Sequence, residues 1–328
     1  MTVTTRLTAA QALRRAAARA MFAPSIHNSQ PWRFILTKGV LEVHSDRSRQ
    51  LHVLDPASRQ MMISCGCALF NARVALAAAG YASVVERFPE PIRPGLLARL
   101  SVLDPYQPPA EELACLDSAI ELRHTNRRQF TEEQVPAQLI DTLLAAAGAE
   151  GAYLLPIRGE RQQVTIAALS ERAAAVEDAD PAYRAELRAW TTGEEDRCDG
   201  VRSFVMPRGE GAAGHVPARN LDLSETGALP DVPSGASQCL LLLWTAGDNP
   251  FGWLHAGEAL QRTLLELTRQ GYVAGIMSQV AEVPWVRAML RRELDLAGAP
   301  HLLLRVGRAP ITPATRRRRL VEVLVEHL

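Results

Sequence analysis

The stretch from Ala23 to Phe34 carries residue types that can bind a ligand. It reads APSIHNSQPWRF, and Pro24 and Pro31 prevent a helix from running through it. The polar side chains between the prolines are Ser25, His27, Asn28, Ser29 and Gln30. A helix end before this turn and a buried strand after it would hold these groups against a flat heteroaromatic ligand. An ordinary Asx or Ser turn has the same composition, so the turn alone leaves both interpretations open.

Two arginine clusters carry the chemistry of a phosphate site. The first reads RHTNRR from Arg123 to Arg128, and the second is the run Arg316–Arg319. Arginine binds phosphate in a bidentate manner, and threonine supplies a short hydrogen-bond donor. On its own the first cluster reads more simply as a solvated basic turn. The second lies between a predicted buried strand and an apolar segment, so both clusters can be tethered and converge on one phosphate.

Other catalytic and metal-binding motifs are absent from the sequence. It has no GxGxxG after a strand, no GxxxxGK[ST], no GxSxG and no HExxH. The eight histidines show no ligand spacing, and no pair of carboxylates suggests acid–base catalysis. The five cysteines are scattered and odd in number, which is typical of reduced thiols. We therefore predict no side-chain catalytic residue and no metal site.

Composition narrows the class of protein. The 328 residues include 36 basic and 36 acidic side chains, so the net charge is zero. The chain therefore lacks the excess of positive charge that is typical of proteins that bind nucleic acid or membranes. The N-terminal stretch lacks the apolar core of a signal peptide. The most apolar run, Cys239–Trp244, is too short to span a bilayer. These features predict a cytoplasmic protein with a small-molecule ligand.

Periodicity and turn residues predict alternating helices and short strands. Helices are expected over 10–21, 66–79, 113–122, 136–147, 160–176, 181–190 and 254–270. Strands are expected over 33–36, 40–44, 98–103, 153–157, 238–245 and 301–306, with a short element over 320–326. Residues 191–235 are rich in Gly, Pro and acidic residues and have no sustained period, which is typical of a lid, a binding loop or disorder.

An internal repeat relates two of the predicted helices. The segment 64–83 aligns with 255–274 without a gap, at an offset of 191 residues. Identical residues include Gly66 with Gly257 and the Gly-Tyr pair that ends each helix. A glycine within a helix costs about 1 kcal/mol and needs a local reason. The match therefore favours two related halves packed about a pseudo-two-fold axis.

These features together resemble the nitroreductase superfamily, and more closely its Acg-like branch, in which two halves are fused in one chain. APSIHNSQPWRF matches the family's APS-x-x-N-x-QPW turn, and RHTNRRQF matches its phosphate-binding turn. The resemblance implies an α+β fold with mostly antiparallel sheets flanked by helices. It divides the chain into an N-terminal half, 1–115, and a C-terminal half, 116–328, with a lid-like insertion over 191–235.

The resemblance also implies FMN bound between the two halves. Its phosphate and ribityl chain would contact Arg123, His124, Thr125, Arg127, Arg317 and Arg318. The isoalloxazine would contact Pro24, Ser25, Ile26 and Asn28, and its N5 edge would face Gly275, Ile276, Ser278 and Gln279. Because the APS turn occurs in one half and the arginine turn in the other, we expect one FMN per chain.

Three functions follow as hypotheses. The first is a flavin oxidoreductase that takes hydride from NADH or NADPH and passes it to a second substrate by ping-pong kinetics. The second is a protein that stores or sequesters FMN beneath the 191–235 segment. The third is a helical interaction protein with no cofactor, which would leave the APS turn and both arginine clusters without a role. A fused pseudo-dimer can act as a monomer, since its two-fold partner is built in.

Overall fold

The structure is a computed structural model that describes residues 7–103, 108–128, 130–192, 197–202, 239–310 and 312–327, with only the backbone of residue 192. The helices are α1 (Ala9–Ala20), α2 (Arg59–Ala78), α3 (Glu111–Ala114), α4 (Ala119–Leu122), α5 (Ala137–Ala149), α6 (Glu160–Ala179), α7 (Pro181–Trp190), α8 (Pro250–Arg269), α9 (Pro284–Glu293) and α10 (Leu320–Val323). The strands are β1 (Trp32–Thr37), β2 (Val40–Ser45), β3 (Ser83–Arg87), β4 (Leu96–Val102), β5 (Tyr153–Ile157), β6 (Thr191–Thr192), β7 (Val201–Arg202), β8 (Cys239–Thr245), β9 (Val273–Met277), β10 (Ala299–Gly307) and β11 (Leu324–His327). The predicted α+β class is confirmed.

Two sheets repeat one topology. The first has the strand order β11-β1-β2-β4-β3 and the second β5-β8-β10-β9. Without β11 the two orders are equivalent, and every strand pair in this common part is antiparallel. The chain therefore contains two copies of an α-β-β-α-β-β unit, as the internal repeat predicts. The division of the chain at residue 115 stays a prediction.

Helices α2 and α8 form the centre of the molecule and cross at two glycines. A Cβ atom on Gly66 would lie 2.2 Å from the carbonyl oxygen of Leu254, and one on Gly257 would lie 2.0 Å from that of Ile63. Ile63 and Leu254 are separated by the same 191 residues as the two glycines. These reciprocal contacts are the signature of a two-fold axis, here within one chain.

The two central helices also end alike. Gly80 and Gly271 follow them with φ angles of +82° and +75°, in the left-handed region that favours glycine. The Tyr81 N–H then donates to the Leu76 carbonyl at 3.0 Å, and Tyr272 makes the equivalent bond at 2.9 Å. This is the Schellman arrangement at a helix C-terminus, which confirms the predicted end at Gly80.

Helix α2 begins earlier than the sequence predicts. The sequence predicts a helix over 66–79, but the helix begins at Arg59. The buried Asp55 carboxylate accepts the Met61 N–H at 2.9 Å, and this satisfies a donor of the first turn. The additional residues, 59–65, form about two turns and include Gln60, which lines the cavity described in the next subsection. The predicted helix over 113–122 is also wrong in part, since it divides into α3 and α4.

One described helix has the length and hydropathy of a membrane span, and it is α2 rather than the apolar run at 239–244. Of its most apolar 18-residue window, 83% is buried inside the protein. Its apolar character is therefore accounted for by its position in the core, between α1 on one side and α8 on the other.

Candidate functional site

A cavity of about 1350 Å³, counting its open mouth, lies where α2, α8, the end of β9 and three irregular segments meet. It brings together twelve of the fourteen residues that the sequence analysis assigned to a cofactor. These are Pro24, Ser25, Ile26, Asn28, Arg123, His124, Thr125, Arg127, Ile276, Ser278, Gln279 and Arg317. Both halves of the chain therefore contribute to one site, as expected from the separate positions of the APS turn and the arginine turn.

The APS turn has a strained backbone. His27, Asn28 and Gln30 all have positive φ angles, of 48°, 53° and 50°. The left-handed conformation costs about 1–2 kcal/mol for a residue with a side chain, and asparagine tolerates it best. Three such residues within four positions persist only where surrounding contacts determine them, and such strain is concentrated at functional sites.

Side chains of the same turn supply these contacts. The Ser25 hydroxyl accepts the Gln30 N–H at 2.9 Å, and the Gln30 side chain accepts the Arg318 N–H at 2.9 Å. The Asn28 amide donates to the carbonyl oxygens of Gly200 at 3.2 Å and Arg316 at 3.3 Å. Two of the polar groups that the sequence suggested for a ligand thus bind distant segments of the chain, and Asn28 does so from the cavity wall.

The arginine turn is fixed to β9 by Asn126, which is 1% exposed. Its N–H donates to the Ala274 carbonyl at 2.9 Å, and its side chain donates to the Pro310 carbonyl at 2.9 Å. A Cβ atom on Gly275 would lie 2.9 Å from the main-chain carbonyl oxygen of Asn126. Only glycine therefore allows the two backbones to approach this closely without a shift of one of them. Gly275 is not part of the cavity lining, and its predicted contact with a cofactor stays a prediction.

Arg318 is the other predicted residue outside the cavity lining. Its guanidinium donates to the Gln30 carbonyl at 3.3 Å and to the Glu322 carbonyl at 3.1 Å. It also lies 3.8 Å from the Asp46 carboxylate. The structure therefore uses Arg318 to tether residues 316–322 to the APS turn, and a cofactor contact for it stays a prediction.

Arg123 and Arg317 place buried positive charge at one end of the cavity. Arg123 is 4% exposed, and its Nε and Nη1 atoms have no hydrogen-bond partner among the described residues. Arg317 donates to the main-chain oxygen of Met21 at 3.0 Å and to the Thr315 hydroxyl at 2.6 Å. Within the described ranges neither guanidinium contacts a carboxylate, so this end has charge to offer an anion.

Burial perturbs the ionisation of this cluster. It lowers the pKa of Arg123 to about 10, and burial together with the charge of Arg123 lowers the pKa of Arg317 to about 9. The pKa of His124 is also lowered, first by burial and then by the two arginines, which favours the neutral imidazole. Each shift reflects the cost of holding cations together away from water, and a bound anion would offset that cost.

Helix α2 contributes a wall of the cavity that the sequence analysis did not identify. Gln60, Ile63, Ser64 and Cys67 face it at the spacing of one helix face. Other lining residues missed from the sequence are Ser170, Gly200, Val201, Leu260, Thr312 and Thr315. For the four residues of α2, the helical period of 60–67 is a signal in the sequence, but the same period is equally typical of core residues. Gln60, Ser170 and Thr312 are each buried with a side-chain nitrogen or oxygen that has no partner in the described chain.

The beginning of the predicted lid lies against this cavity. Of residues 191–235, the structure describes 191–192 and 197–202, and the remainder lies outside the described residues. Asp199 forms an ion pair with Arg49, and Gln30 donates to the Cys198 carbonyl at 2.8 Å. Gly200 and Val201 then line the cavity. Residues 198 and 200 of the insertion are thus attached to the APS turn.

The described residues contain no cluster of three or more histidine, cysteine or acidic side chains that could hold a metal ion. The thiols of Cys65 and Cys67 are buried and donate to main-chain oxygens, and burial raises the pKa of both. In the part of the chain that can be described, the chemistry of the site is therefore that of arginines, amides, hydroxyls and an apolar wall.

Comparison with known proteins identifies the family. A model of the nitroreductase family matches residues 120–308. The Mycobacterium tuberculosis protein named "Putative NAD(P)H nitroreductase Rv3131" is 35% identical over 96% of this chain and 91% of its own length. The chain belongs to the nitroreductase family. A second protein of that organism, "Putative NAD(P)H nitroreductase acg", is 29% identical over 92% of this chain and 91% of its own length, in keeping with the Acg-like resemblance.

Solved structures of this family are more distant from the chain. A nitroreductase from Desulfitobacterium hafniense with bound FMN is 11% identical, covers 64% of this chain and 96% of its own, and has a TM-score of 0.41. A BluB-like flavoprotein from Clostridium difficile is 16% identical over 63% of this chain and 96% of its own, with a TM-score of 0.42.

Proposed function

We propose that this protein binds FMN in the cavity and acts as an NAD(P)H-dependent flavin oxidoreductase. The observation that carries the proposal is the buried pair Arg123 and Arg317, which has no carboxylate partner within the described ranges. Two guanidinium nitrogens of Arg123 also have no hydrogen-bond partner there. A ligand with a phosphate would supply the missing anion. The nearby Thr125 and Arg127 also line this end and extend the set of groups able to hold it.

The rest of the cavity suits a flat aromatic ring. Ile63, Leu260 and Leu302 provide apolar surface, and the APS turn also lines the cavity. A cavity with a cationic end, an apolar centre and a few polar groups is the usual form of a cofactor site. FMN, when bound, supplies a flavin N5 atom that can accept hydride from NADH or NADPH and pass it to a second substrate. Residues 276–279 are proposed to lie against that edge.

The protein's own contribution is then to bind and orient the ligand. The arginine end fixes the phosphate, while the APS turn and α2 hold the ring. The family names of the relatives support reduction by NAD(P)H, and nitroaromatics or quinones serve as surrogate acceptors in an assay. No side-chain acid or base is required, which agrees with the absence of a catalytic motif in the sequence.

A second candidate function is storage or sequestration of FMN, and one observation favours it. Residues 198–200 are held at the cavity by Asn28, Gln30 and Arg49, which tie the start of the 191–235 segment to the site. A wall fixed in this way would limit access of nicotinamide to the ring. An opening loop would instead release these contacts during turnover.

The visible spectrum of the purified protein tests both candidates. Yellow protein that bleaches with NADPH or NADH under anaerobic conditions supports the oxidoreductase. Yellow protein that bleaches only with dithionite supports sequestration, and Asp199→Asn should then accelerate bleaching by NADPH, whereas the exposed Asp141→Asn should not. Protein that takes up no flavin after incubation with FMN would overturn both candidates.

A further inference from the structure

The cavity has two buried polar side chains that the proposed phosphate site does not use. Gln60 is 4% exposed and Ser170 is 2% exposed, and both line the cavity. The amide nitrogen of Gln60 and the hydroxyl of Ser170 have no hydrogen-bond partner in the described part of the chain. A buried amide or hydroxyl left without a partner costs about 1–3 kcal/mol. Such groups at a cavity wall point to a ligand that completes their hydrogen bonds.

Ser170 is an exception among the serines and threonines of the described helices α2, α5, α6 and α8. On the same helix, Thr165 donates to the Arg161 carbonyl at 2.8 Å, and on α2 Ser64 donates to the Gln60 carbonyl at 2.7 Å. A serine or threonine within a helix usually makes this bond to the preceding turn. Ser170 does not make it, so its hydroxyl is available at the cavity wall.

Gln60 lies at the end of α2 away from Cys67, and Ser170 is on α6, which packs against residues 279–281 near that end. Along α2 the lining residues run from Gln60 to Cys67, a rise of about 10 Å at 1.5 Å per residue. The charge of Arg123 acts on Cys67, which places the arginines at that end. At the other end, Arg59, the neighbour of Gln60, donates to the Ala281 carbonyl, and α6 packs against 279–281.

The wall at this second end is fixed by α6. Glu177 lies seven residues after Ser170 and therefore on the same helix face. Its carboxylate accepts the side-chain amide of Gln279 at 2.7 Å, and both residues are buried. Ser170 is thus carried by a helix that is bonded to the cavity wall, which makes its hydroxyl a preorganised group.

We propose that Gln60 and Ser170 bind the imide edge of the isoalloxazine ring. This inference rests on the proposed FMN site and adds a second recognition element to it. The Gln60 amide nitrogen is a donor for a ring carbonyl oxygen. The Ser170 hydroxyl can accept the imide N–H or donate to the second carbonyl. One end of the cavity then reads the phosphate, and the other reads the ring through residues outside both sequence motifs.

The test compares FMN with riboflavin, which has the ring but no phosphate. Dissociation constants are measured by quenching of flavin fluorescence on flavin-free protein. We expect Ser170→Ala and Gln60→Met each to weaken both ligands by about 3- to 10-fold and to leave their ratio unchanged. Arg123→Met should weaken FMN far more than riboflavin. Thr165→Ala removes a hydroxyl of α6 that already has a partner, so it should bind both flavins like the wild type.

Each outcome of these binding measurements either supports or overturns the proposed role of Gln60 and Ser170. Weakening of both flavins by the Ser170 and Gln60 variants, with thermal unfolding close to wild type, supports the subsite. Wild-type affinity for both flavins in both variants would overturn it while leaving the proposed FMN site intact. Unchanged flavin affinity with a raised NADPH half-saturation would assign the two groups to the nicotinamide carboxamide and overturn the flavin assignment. Wild-type protein that quenches neither flavin would overturn the proposed function itself.

Discussion

The cavity and the place related to it by the pseudo-two-fold axis are built from equivalent positions with different side chains. On α2 the cavity is lined by Gln60, Ile63, Ser64 and Cys67. The equivalent residues of α8, at the 191-residue offset, are Phe251, Leu254, His255 and Glu258. The rings of Phe251 and Phe88 are in contact, with centroids 4.6 Å apart. At the position equivalent to Gln60, an aromatic side chain is therefore packed against another ring.

The two places also differ in charge. Glu258 is fully buried, and its carboxylate contacts Arg87 at 2.7 Å and Arg73 at 2.8 Å. Buried Glu150 pairs with Arg262 at 2.8 Å and with Arg73. In the cavity, by contrast, Arg123 and Arg317 have no carboxylate partner in the described ranges. The same fold thus contains a structural cluster of paired arginines and carboxylates at one position. At the equivalent position it has buried arginines without a carboxylate, which can bind an anion.

The shared part of the two places is the glycine crossing, and its loss should have the largest effect. We expect Gly66→Ala and Gly257→Ala each to lower the free energy of unfolding by about 3 kcal/mol or more, because each Cβ would meet backbone atoms that cannot move aside. Urea unfolding measures this. Gly148→Ala, in α5 with nothing within 4 Å, is the control and should be neutral or slightly stabilising. Unequal losses at the two glycines would contradict the two-fold relation.

Neutralising Glu258 should break the matched cluster. We expect Glu258→Gln to cost about 3 kcal/mol of unfolding free energy, because the arginines around it lose a buried counter-charge. Thermal unfolding measures the change. Glu322→Gln removes a partner of the exposed Arg319 and should cost less than about 1 kcal/mol. A loss for Glu258→Gln no larger than that control would show that the cluster is not what closes this place.

Neutralising Arg123 should have the opposite effect on stability. We expect Arg123→Met to leave the ligand-free protein as stable as wild type or more so, since it removes an unmatched buried charge. The same change should weaken FMN binding by roughly 10- to 100-fold. Thermal unfolding with and without FMN measures both, with the exposed Arg161→Met as control. Destabilisation of the ligand-free protein would mean that Arg123 is structural.

The smallest expected difference concerns how the two central helices begin. The first turn of α2 is bound by the Asp55 carboxylate, whereas that of α8 is bound by the neutral Asn249 amide oxygen at 3.0 Å. Burial raises the pKa of Asp55 to about 6. The folded state then holds the proton more tightly than the unfolded state, so this stabilisation is present below pH 4 and is lost as pH rises through 6.

We expect Asp55→Asn to remove this dependence. Relative to wild type, the variant should gain roughly 2–3 kcal/mol of unfolding free energy between pH 4 and pH 7. Urea unfolding at the two pH values measures it. Asn249→Ser, which keeps a neutral cap on α8, should not change the slope between the two pH values. A slope that survives in Asp55→Asn would assign it to other groups.

Sequence motifs predicted the site better than they predicted its walls. The APS turn and the arginine turn carry distinctive residue types, and eight of the twelve assigned residues that meet at the cavity belong to these two turns. Gln60 was missed because it lies at the polar start of α2, and Ser170 was missed because it is one of many polar residues on α6, so neither has a distinctive local signal. The positive φ angles of His27 and Gln30 were missed because contacts with distant segments impose them.

The fold was predictable where a local rule decides it. Aspartate favours the N-cap position, and Asp180 caps α7 by accepting the Ala182 N–H at 2.8 Å. Strand β5 has the predicted bounds. Helix α9 and strand β9 were not predicted, although Val286 and Leu290 are buried at helical spacing within α9. The early start of α2 depends on a buried carboxylate, which is a tertiary effect.

Strand β11 pairs in parallel with β1, although nearly the whole chain separates them. Arg317, a few residues before it, is needed for the cationic end of the cavity. During translation the first sheet and the cavity therefore remain incomplete until residues 317–327 have left the ribosome. A nascent or truncated chain that stops before residue 317 would lack this arginine and this edge strand together. A bound anion would therefore stabilise chains that contain residues 317–327 over chains that lack them.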